Sequence, residues 1–580
     1  MESNSAEQRT DAVFDETSRR LPIFRERLFA RLPAESAELF PTDKRKLLAA
    51  SAFEFFATRD EPIKVRCLAG ENNTVIVETV MPDCAFIVDS MLEYFRANEF
   101  ALRVLLHPIY QVARDRRGAI NSFESASADE KRESFTHCEL ELLPEPSRLN
   151  KIETDLREIL GQVAAATSDF GAMTARALQI CQETARQREL VEIRDFLRWL
   201  VQGAFVFLGY RRYRVEHERG QQVIVLDAGQ SLGIMRTAKT SRYAQPVQFN
   251  ELEEAHRRQL LEDSPLLVSK THAESQVHRR AAMDDITIRR VDQGGQVIGF
   301  DRFIGLFTSK AYSEEAQHIP VLRSKLNEML RAEGLQPGVH DYKATIAAFN
   351  SFPKEELFRA RSSELRAQIR LVLDLQNEDE VRLTLQSDVM RGNVIALVIM
   401  PRQQFSADVR MRIQEALCER LGGTLVYYYL ALGMGYTARL HFCFAAAPPK
   451  PEIIPLLRAE VASLARSWDS LLREGLTARY GHERGHSLAA RWIPAFTARY
   501  KNSVSVEMAL GDIEQIEHLL NRGRFSVLIG GAGTEAEQNL SELRLYEIGE
   551  APILSELIPI LQNFGISVIS EDAHEFRLEP

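Results

Sequence analysis

Long apolar runs are missing from this chain. The longest clean ones, such as VIALVIM (Val394 to Met400), are strand-length, well short of the roughly 18 residues needed to span a bilayer, so no membrane partner is expected. A basic balance is missing too. Lys and Arg number 72 against 82 Asp and Glu, a net charge of −10, which gives no support to nucleic-acid binding by bulk charge. Paired cysteines are absent: Cys67, Cys84, Cys138, Cys181, Cys418 and Cys443 are scattered with no C-x-x-C. That is the pattern of buried thiols in a reducing compartment, not of a disulfide framework or a zinc knuckle. The stretch MESNSAEQRTDAVFDETSRR is polar and acidic and does not read as a secretory signal, so a cytoplasmic location is expected. Neither G-x-S-x-G nor a P-loop occurs.

What is present is an ordinary globular composition, 45% hydrophobic and 27% charged over 580 residues, too long for a single core and enough for roughly three to five domains. Residues 1–60 read as short helices punctuated by Pro33 and Pro41. The period then changes. NTVIVETVM (Asn73 to Met81) alternates as a strand, and CAFIVDSMLEYFRANEF carries Phe86, Ile87, Met91, Tyr94 and Phe95 on one helical stripe. LRVLLHPIYQVARD and ESFTHCELELL are strands again. The same grammar returns in 369–450, with an extra leading strand EVRLTLQSDV and a helix ended by Gly422, and in 501–580, where ISVISEDAHEFRL is the expected closing strand. The fold class expected is therefore α+β: a multidomain chain with three ferredoxin-like βαββαβ modules, at 61–145, 369–450 and 501–580. Helical segments at 146–202 and 451–500 and a central mixed α/β domain at 203–368 join them.

Two motifs invite a catalytic reading. His482-Glu483-Arg484-Gly485-His486 is H-E-x-x-H, which on a helix puts two imidazoles on one face to bind zinc. Yet Gly485 costs a helix roughly 1 kcal/mol relative to Ala, Gly481 invites a break, and no third ligand is evident beyond a distant Glu507. A helix–turn–helix joint with solvated histidines is expected instead. RFSVLIGGAGTEA offers Gly531, Gly533 and Ala536 as a G-x-G-x-x-A loop with Glu550 downstream. A parallel crossover needs about a dozen residues or more, and the next strand begins at Glu542, so a loop between antiparallel strands is expected. VHRRAAMDDITIRR, with His278, Arg279, Arg280, Asp284 and Asp285, reads as a solvated charged turn beside a strand.

Several segments together resemble the large bacterial NAD-specific glutamate dehydrogenases: VMPDCAFIVDS, ESFTHCELELL, FLRWLVQGAFVFLGYRRY, RFIGLFTSKAY, HIPVLRSKL, HDYKATIAAFNSFPKEELF and SWDSLLREGLTARYGHERG, in order along nearly the whole chain. The resemblance implies three ACT-type modules, with helical pieces between them, and makes YGHERG a linker between helices. In that family the dehydrogenase domains lie C-terminal to the modules, with a G-G-x-K-G-G substrate segment and a Rossmann domain for NAD. This sequence contains no G-G-x-K-G-G. The chain is therefore expected to have no catalytic, cofactor-binding or metal-binding residues of its own. Its expected partners are C-terminal dehydrogenase domains of the same polypeptide, further copies of itself, and a small amino-acid effector, with NAD the cofactor of the parent enzyme. A purely structural assembly region and a free-standing amino-acid sensor are the alternatives.

ACT-type modules typically bind small ligands where the first strand turns into the first helix. By that resemblance the effector site is the turn Met81-Pro82-Asp83-Cys84-Ala85. Backbone N–H groups at a helix start attract a carboxylate, and Asp83 could pair with an α-ammonium group. Asp83 as a helix N-cap and Pro82 as a turn residue explain the same residues without a ligand.

Overall fold

The computed structural model describes the chain except residues 1–18, 33–37, 39, 186, 188–189, 219, 238–244, 253, 262–264, 374–379, 389–391, 433–436, 467, 524, 532–540, 550–552 and 579–580. It divides into two compact units, Met1–Asp374 and Leu375–Pro580.

The first unit opens with helices α1 (19–29) and α2 (Thr42–Ala57), followed by strands β1 (Lys64–Ala69) and β2 (Thr74–Pro82). Helix α3 (Ile87–Ala97), strands β3 (Ala101–Leu106), β4 (Ile109–Arg114), β5 (Ile120–Phe123) and β6 (Lys131–Glu141), and helix α4 (Pro146–Ser168) complete the region. β6 pairs with β2 on one side and with β3 and β4 on the other, and β1 closes the edge beside β2, all antiparallel. The expected βαββαβ order is thus replaced by a strand that leads rather than closes. The hairpin between β1 and β2 turns through Asn72 (φ 54°) and Asn73 (φ 56°), the residue type best suited to left-handed backbone after glycine.

Both faces of this sheet are covered. Val75, Val77 and Met81 face α3 and α4 through Met91, Phe95, Leu156 and Leu160. Val80, Val104, Tyr110 and Phe135 face the N-terminal helices through Phe24, Phe53 and Phe56, with Phe24 stacked on Tyr110 at 4.7 Å between ring centroids.

α5 (Phe170–Glu183) and α6 (Val191–Trp199) lead into a six-stranded sheet of order β10-β11-β12-β7-β8-β9. Its strands are β7 (Phe205–Glu218), β8 (Gln221–Gly233), β9 (Val247–Gln248), β10 (Leu266–Glu274), β11 (Ala282–Val291) and β12 (Val297–Phe307), with α7 (Glu254–Leu261) inserted before β10. α8 (Ser309–Ser313), α9 (Leu322–Ala332), α10 (His340–Asn350), α11 (Lys354–Arg359) and α12 (Ser362–Leu373) follow. The boundary expected at 368/369 falls inside α12.

The second unit contains β13 (Arg382–Asp388), β14 (Asn393–Pro401), α13 (Ala407–Leu421), β15 (Thr424–Leu432), β16 (Thr437–Ala445) and α14 (Ile453–Leu464). Its sheet runs β13-β14-β16-β15, the first sheet's plan repeated. The strand taken from sequence as an extra leader, β13, occupies the edge expected of a closing strand. α13 starts on a Ser406 cap, whose hydroxyl accepts from Val409 N, and ends at Gly422 in left-handed backbone (φ 62°).

α15 (Trp468–Tyr480), α16 (His482–Trp492), α17 (Ala498–Ser503) and α18 (Val506–Arg522) pack together around Leu472, Leu476, Trp492 and Phe496. The hairpin β17 (Phe525–Gly531)–β18 (Ser541–Glu547) and α19 (Leu554–Asn563) follow. Asp512 of α18 accepts from the hydroxyls of Tyr500 and Tyr546 and from Arg544, tying α18 to β18. The closing strand expected in ISVISEDAHEFRL is not formed. Among the described residues, 566–578 carries no strand, and Phe576 and Leu578 pack on the helical core instead. No helix of the described residues is long and apolar enough to cross a membrane.

Candidate functional site

The turn at residues 81–85 leaves a central strand. Met81 is fully buried, and Pro82 lies opposite Glu133 of β6. Asp83 donates its N–H to the Arg132 carbonyl at 3.0 Å, and its carboxylate pairs with Arg132 Nη2 at 2.9 Å. Asp83 is not the N-cap of α3. The helix begins at Ile87, after Phe86 in left-handed backbone (φ 73°). Burial raises the half-buried Cys84 thiol above its ordinary value, and burial lowers His107, whose Nε2 lies 2.7 Å from Ser134 Oγ.

The first turn of α3 is covered by the loop between β10 and β11. His278 donates its N–H to Ser90 Oγ at 3.0 Å, sets Nδ1 3.2 Å from Asp89, and lays its ring 4.7 Å from that of Phe86. The helix start is therefore partly occupied by the protein itself. Beside it lies the Asp83–Arg132 ion pair, in which the Arg132 side chain is 61% exposed and that of Asp83 15%. An amino acid could exchange into it, its ammonium replacing Arg132 at Asp83 and its carboxylate meeting the freed guanidinium.

H-E-x-x-H does lie on a helix. The break comes earlier, at Gly481 (φ 81°), and the motif forms the start of α16, with His482 and His486 both exposed and their rings 4.5 Å apart. Among the described residues, no group of three or more His, Cys, Asp or Glu could hold a metal, whereas a closed zinc site takes four ligands. Zinc added to metal-free protein is expected to leave no stoichiometric ion after desalting. One zinc per chain by elemental analysis, lost in His486→Ala, would overturn this.

The glycine loop is a hairpin connection: β17 and β18 pair antiparallel, with Gly531 opposite Ser541. Gly533, Ala536 and Glu550 lie outside the described residues.

The stretch 277–290 departs from its expected character. Asp284 and Asp285 sit on β11 and are buried. Asp285 pairs with Arg302 at 2.7 Å. Asp284 takes Lys270 Nζ at 2.7 Å and the Phe307 N–H at 2.9 Å, and Glu355 of α11 lies 3.3 Å from Lys270 and accepts from Tyr312 at 2.6 Å. Burial lifts the Asp284 carboxyl to about 6 against the pull of Lys270. This network clamps α11 onto the sheet. Sequence reading missed Lys270, Tyr312 and Glu355; the available signal was a lysine inside the apolar strand LLVSKTHAE.

Comparison with known proteins follows this architecture. Five family models match in order: the glutamate dehydrogenase ACT1 domain over 24–156, helical motif 1 over 319–378, the ACT2 domain over 382–469, helical motif 2 over 475–519 and the ACT3 domain over 532–579. Residues 157–318, with the whole central sheet, fall between the first two. The NAD-specific glutamate dehydrogenase of Halomonas elongata is 30% identical over 524 residues, covering 87% of this chain and 32% of the relative. That of Pseudomonas aeruginosa is 27% identical, covering 86% and 31%, and that of Mycobacterium tuberculosis 25% identical, covering 85% and 30%. The chain thus spans about a third of the length of these relatives.

Proposed function

Because the chain belongs to the NAD-specific glutamate dehydrogenase family, as its N-terminal region of ACT domains and helical motifs, we propose that it is the regulatory and assembly part of such an enzyme. The parent reaction is L-glutamate, NAD and water to 2-oxoglutarate, ammonium and NADH, carried by C-terminal dehydrogenase domains. The observation that carries the reading is the run of three ACT and two helical-motif matches across a chain about a third as long as its relatives. In this reading the modules are ferredoxin-like, and in the first two a leading strand stands in for the closing one. They join copies of the chain in the cytoplasm and let a small amino acid bias the assembly. Such a ligand shifts a two-state equilibrium only by its difference in affinity for the two states.

The effector site of the first module is the turn Met81–Ala85 with Arg132 beside it. Calorimetric titration of the chain with the common amino acids is expected to show at least one binding at millimolar concentration or tighter. Asp83→Asn removes the charge facing the ammonium and should weaken that ligand about tenfold or more, the worth of a charge-assisted hydrogen bond. The fold should survive, since Asn keeps a side-chain acceptor for Arg132. The second reading, a purely structural module, is favoured by the Asp83–Arg132 pair itself, which satisfies both groups without a ligand. If no amino acid binds the unaltered chain, that reading wins.

A further inference from the structure

We propose that Arg176, Arg212 and Arg290, gathered around Asp301 on the central sheet, form a binding site for a small carboxylate anion. The site lies apart from the turn at Met81–Ala85 and does not depend on it. Asp301 is fully buried on β12 and stands in register with Arg212 of β7. Arg290 of β11 lies opposite Gly299, two residues from Asp301 and so on the same face of the sheet. Arg176 reaches the group from α5.

The near contacts are few. Tyr210 donates its hydroxyl to Asp301 Oδ1 at 2.5 Å, Arg212 Nε donates to the same oxygen at 3.0 Å, and Arg176 Nε donates to the Tyr210 oxygen at 2.8 Å. Arg176 Nη1 donates to Gln179 at 2.5 Å. The remaining approaches are long: Arg176 Nη2 lies 3.8 Å from Asp301 Oδ1, and Arg290 Nε 3.7 Å from Oδ2.

Four buried atoms in this group make no hydrogen bond among the described residues: Arg176 Nη2, Arg212 Nη2, Arg290 Nη1 and Asp301 Oδ2. The Arg176 side chain is only 8% exposed. Each buried polar atom left without a partner costs roughly 1–3 kcal/mol, more when charged, so a cluster of them points to a further binding group. Three of the four are donors, so that group must mainly accept, as an anion does.

A carboxylate of the chain already marks the place. Glu183, at the end of α5 and 42% exposed, holds Oε1 3.8 Å from Arg176 Nη1 and Oε2 3.7 Å from Arg212 Nη2, both beyond hydrogen-bond length, while Gln179 donates to Oε1 at 2.9 Å. A free carboxylate that swings Glu183 aside could approach both guanidinium forks closely, the geometry arginine offers carboxylates. Among the described residues, the ion pairs of these three arginines within 4.0 Å go to Asp301 and Glu183, while Asp227, in register with Arg212, lies 3.9 Å from Arg214.

The test is calorimetric titration of the full chain with succinate and acetate, with inorganic phosphate as the comparison, in chloride buffer. The unaltered chain is expected to bind succinate saturably. Glu183→Gln removes the internal competitor and should tighten succinate about fivefold, the scale of one exposed charge pair. Arg290→Gln, at a partly exposed residue, should weaken it about tenfold. Asp83→Asn should leave this binding unchanged, which separates the site from the turn in the first module. Absence of saturable binding in both the unaltered chain and Glu183→Gln would overturn the proposal. So would an affinity indifferent to Glu183→Gln. Phosphate binding as tightly as succinate would overturn the assignment to carboxylates.

Discussion

Glu133→Ala is expected to be among the most damaging single substitutions in the first unit, costing roughly 3–5 kcal/mol, the range for breaking a buried ion pair from one side. Glu133 lies on β6 and is 4% exposed. Arg114 grips it from β4, with Nε 2.9 Å from Oε1 and Nη2 2.7 Å from Oε2, and Arg59 Nη2 adds a contact at 3.1 Å. The same Arg114 donates to the carbonyls of Phe56 at 3.0 Å and Gly118 at 2.8 Å. It thereby fastens the end of α2 to the sheet. Truncating Glu133 leaves a guanidinium that is 7% exposed without its counter-charge, and the cost comes from that stranded cation more than from the lost attraction. Urea unfolding followed by circular dichroism, with hydrogen exchange of the β4–β6 amides, measures it. The exposed pair Lys46–Asp43, at 3.2 Å, is the contrast: Lys46→Ala should move the urea midpoint negligibly, because exposed pairs gain little over solvated charges. Equal effects from the two substitutions would contradict the argument.

Legibility from sequence followed the range of the interactions concerned. α13 could be read from its period to its end at Gly422, because both signals are local; its Ser406 cap, equally local, was seen only in the structure. β14, NVIALVIMP, is buried at every position, and an unbroken apolar run of that length declares a central strand. Strand order was not readable. β1, KVRCLA, has no local mark that it fills the edge a closing strand would take, because the choice is made by which edge of β2 remains open after β6 has paired. Asp83 met the same limit. As a residue before a helix it invites a cap or a ligand, but its partner Arg132 is brought near only by the β2–β6 register. The acidic pair in VHRRAAMDDITIRR read as a solvated turn because charge usually marks the surface. Burial with Lys270 and Arg302 depends on cross-strand neighbours 14 and 17 residues away, which no local pattern carries. The Asp301 cluster is the extreme case, assembled from α5, β7, β11 and β12.

Gly485→Ala is expected to destabilise the second unit although the residue lies on a helix, where the exchange ordinarily gains about 1 kcal/mol. A Cβ built on Gly485 would sit 2.5 Å from Thr477 Cα, 2.7 Å from Thr477 N and 2.8 Å from Leu476 O. All three are backbone atoms of α15, so no side chain can rotate away, and relief requires α15 and α16 to separate. Separation would loosen Leu472, Leu476, Leu488, Ala489 and Trp492, the shared core of the pair. Overpacking of this kind costs typically 1–3 kcal/mol, and with backbone on both sides the upper part of that range applies, so the steric term outweighs the propensity gain. Gly511→Ala on α18 is the matched control, since nothing lies within 4 Å of its built Cβ. There the propensity term acts alone, and the substitution should stabilise by up to about 1 kcal/mol. Thermal unfolding followed by tryptophan fluorescence, with buried Trp492 as the reporter, should therefore shift down for Gly485→Ala and up for Gly511→Ala. If Gly485→Ala also raised the midpoint, the glycine of the H-E-R-G-H stretch would not be there for close packing of the two helices.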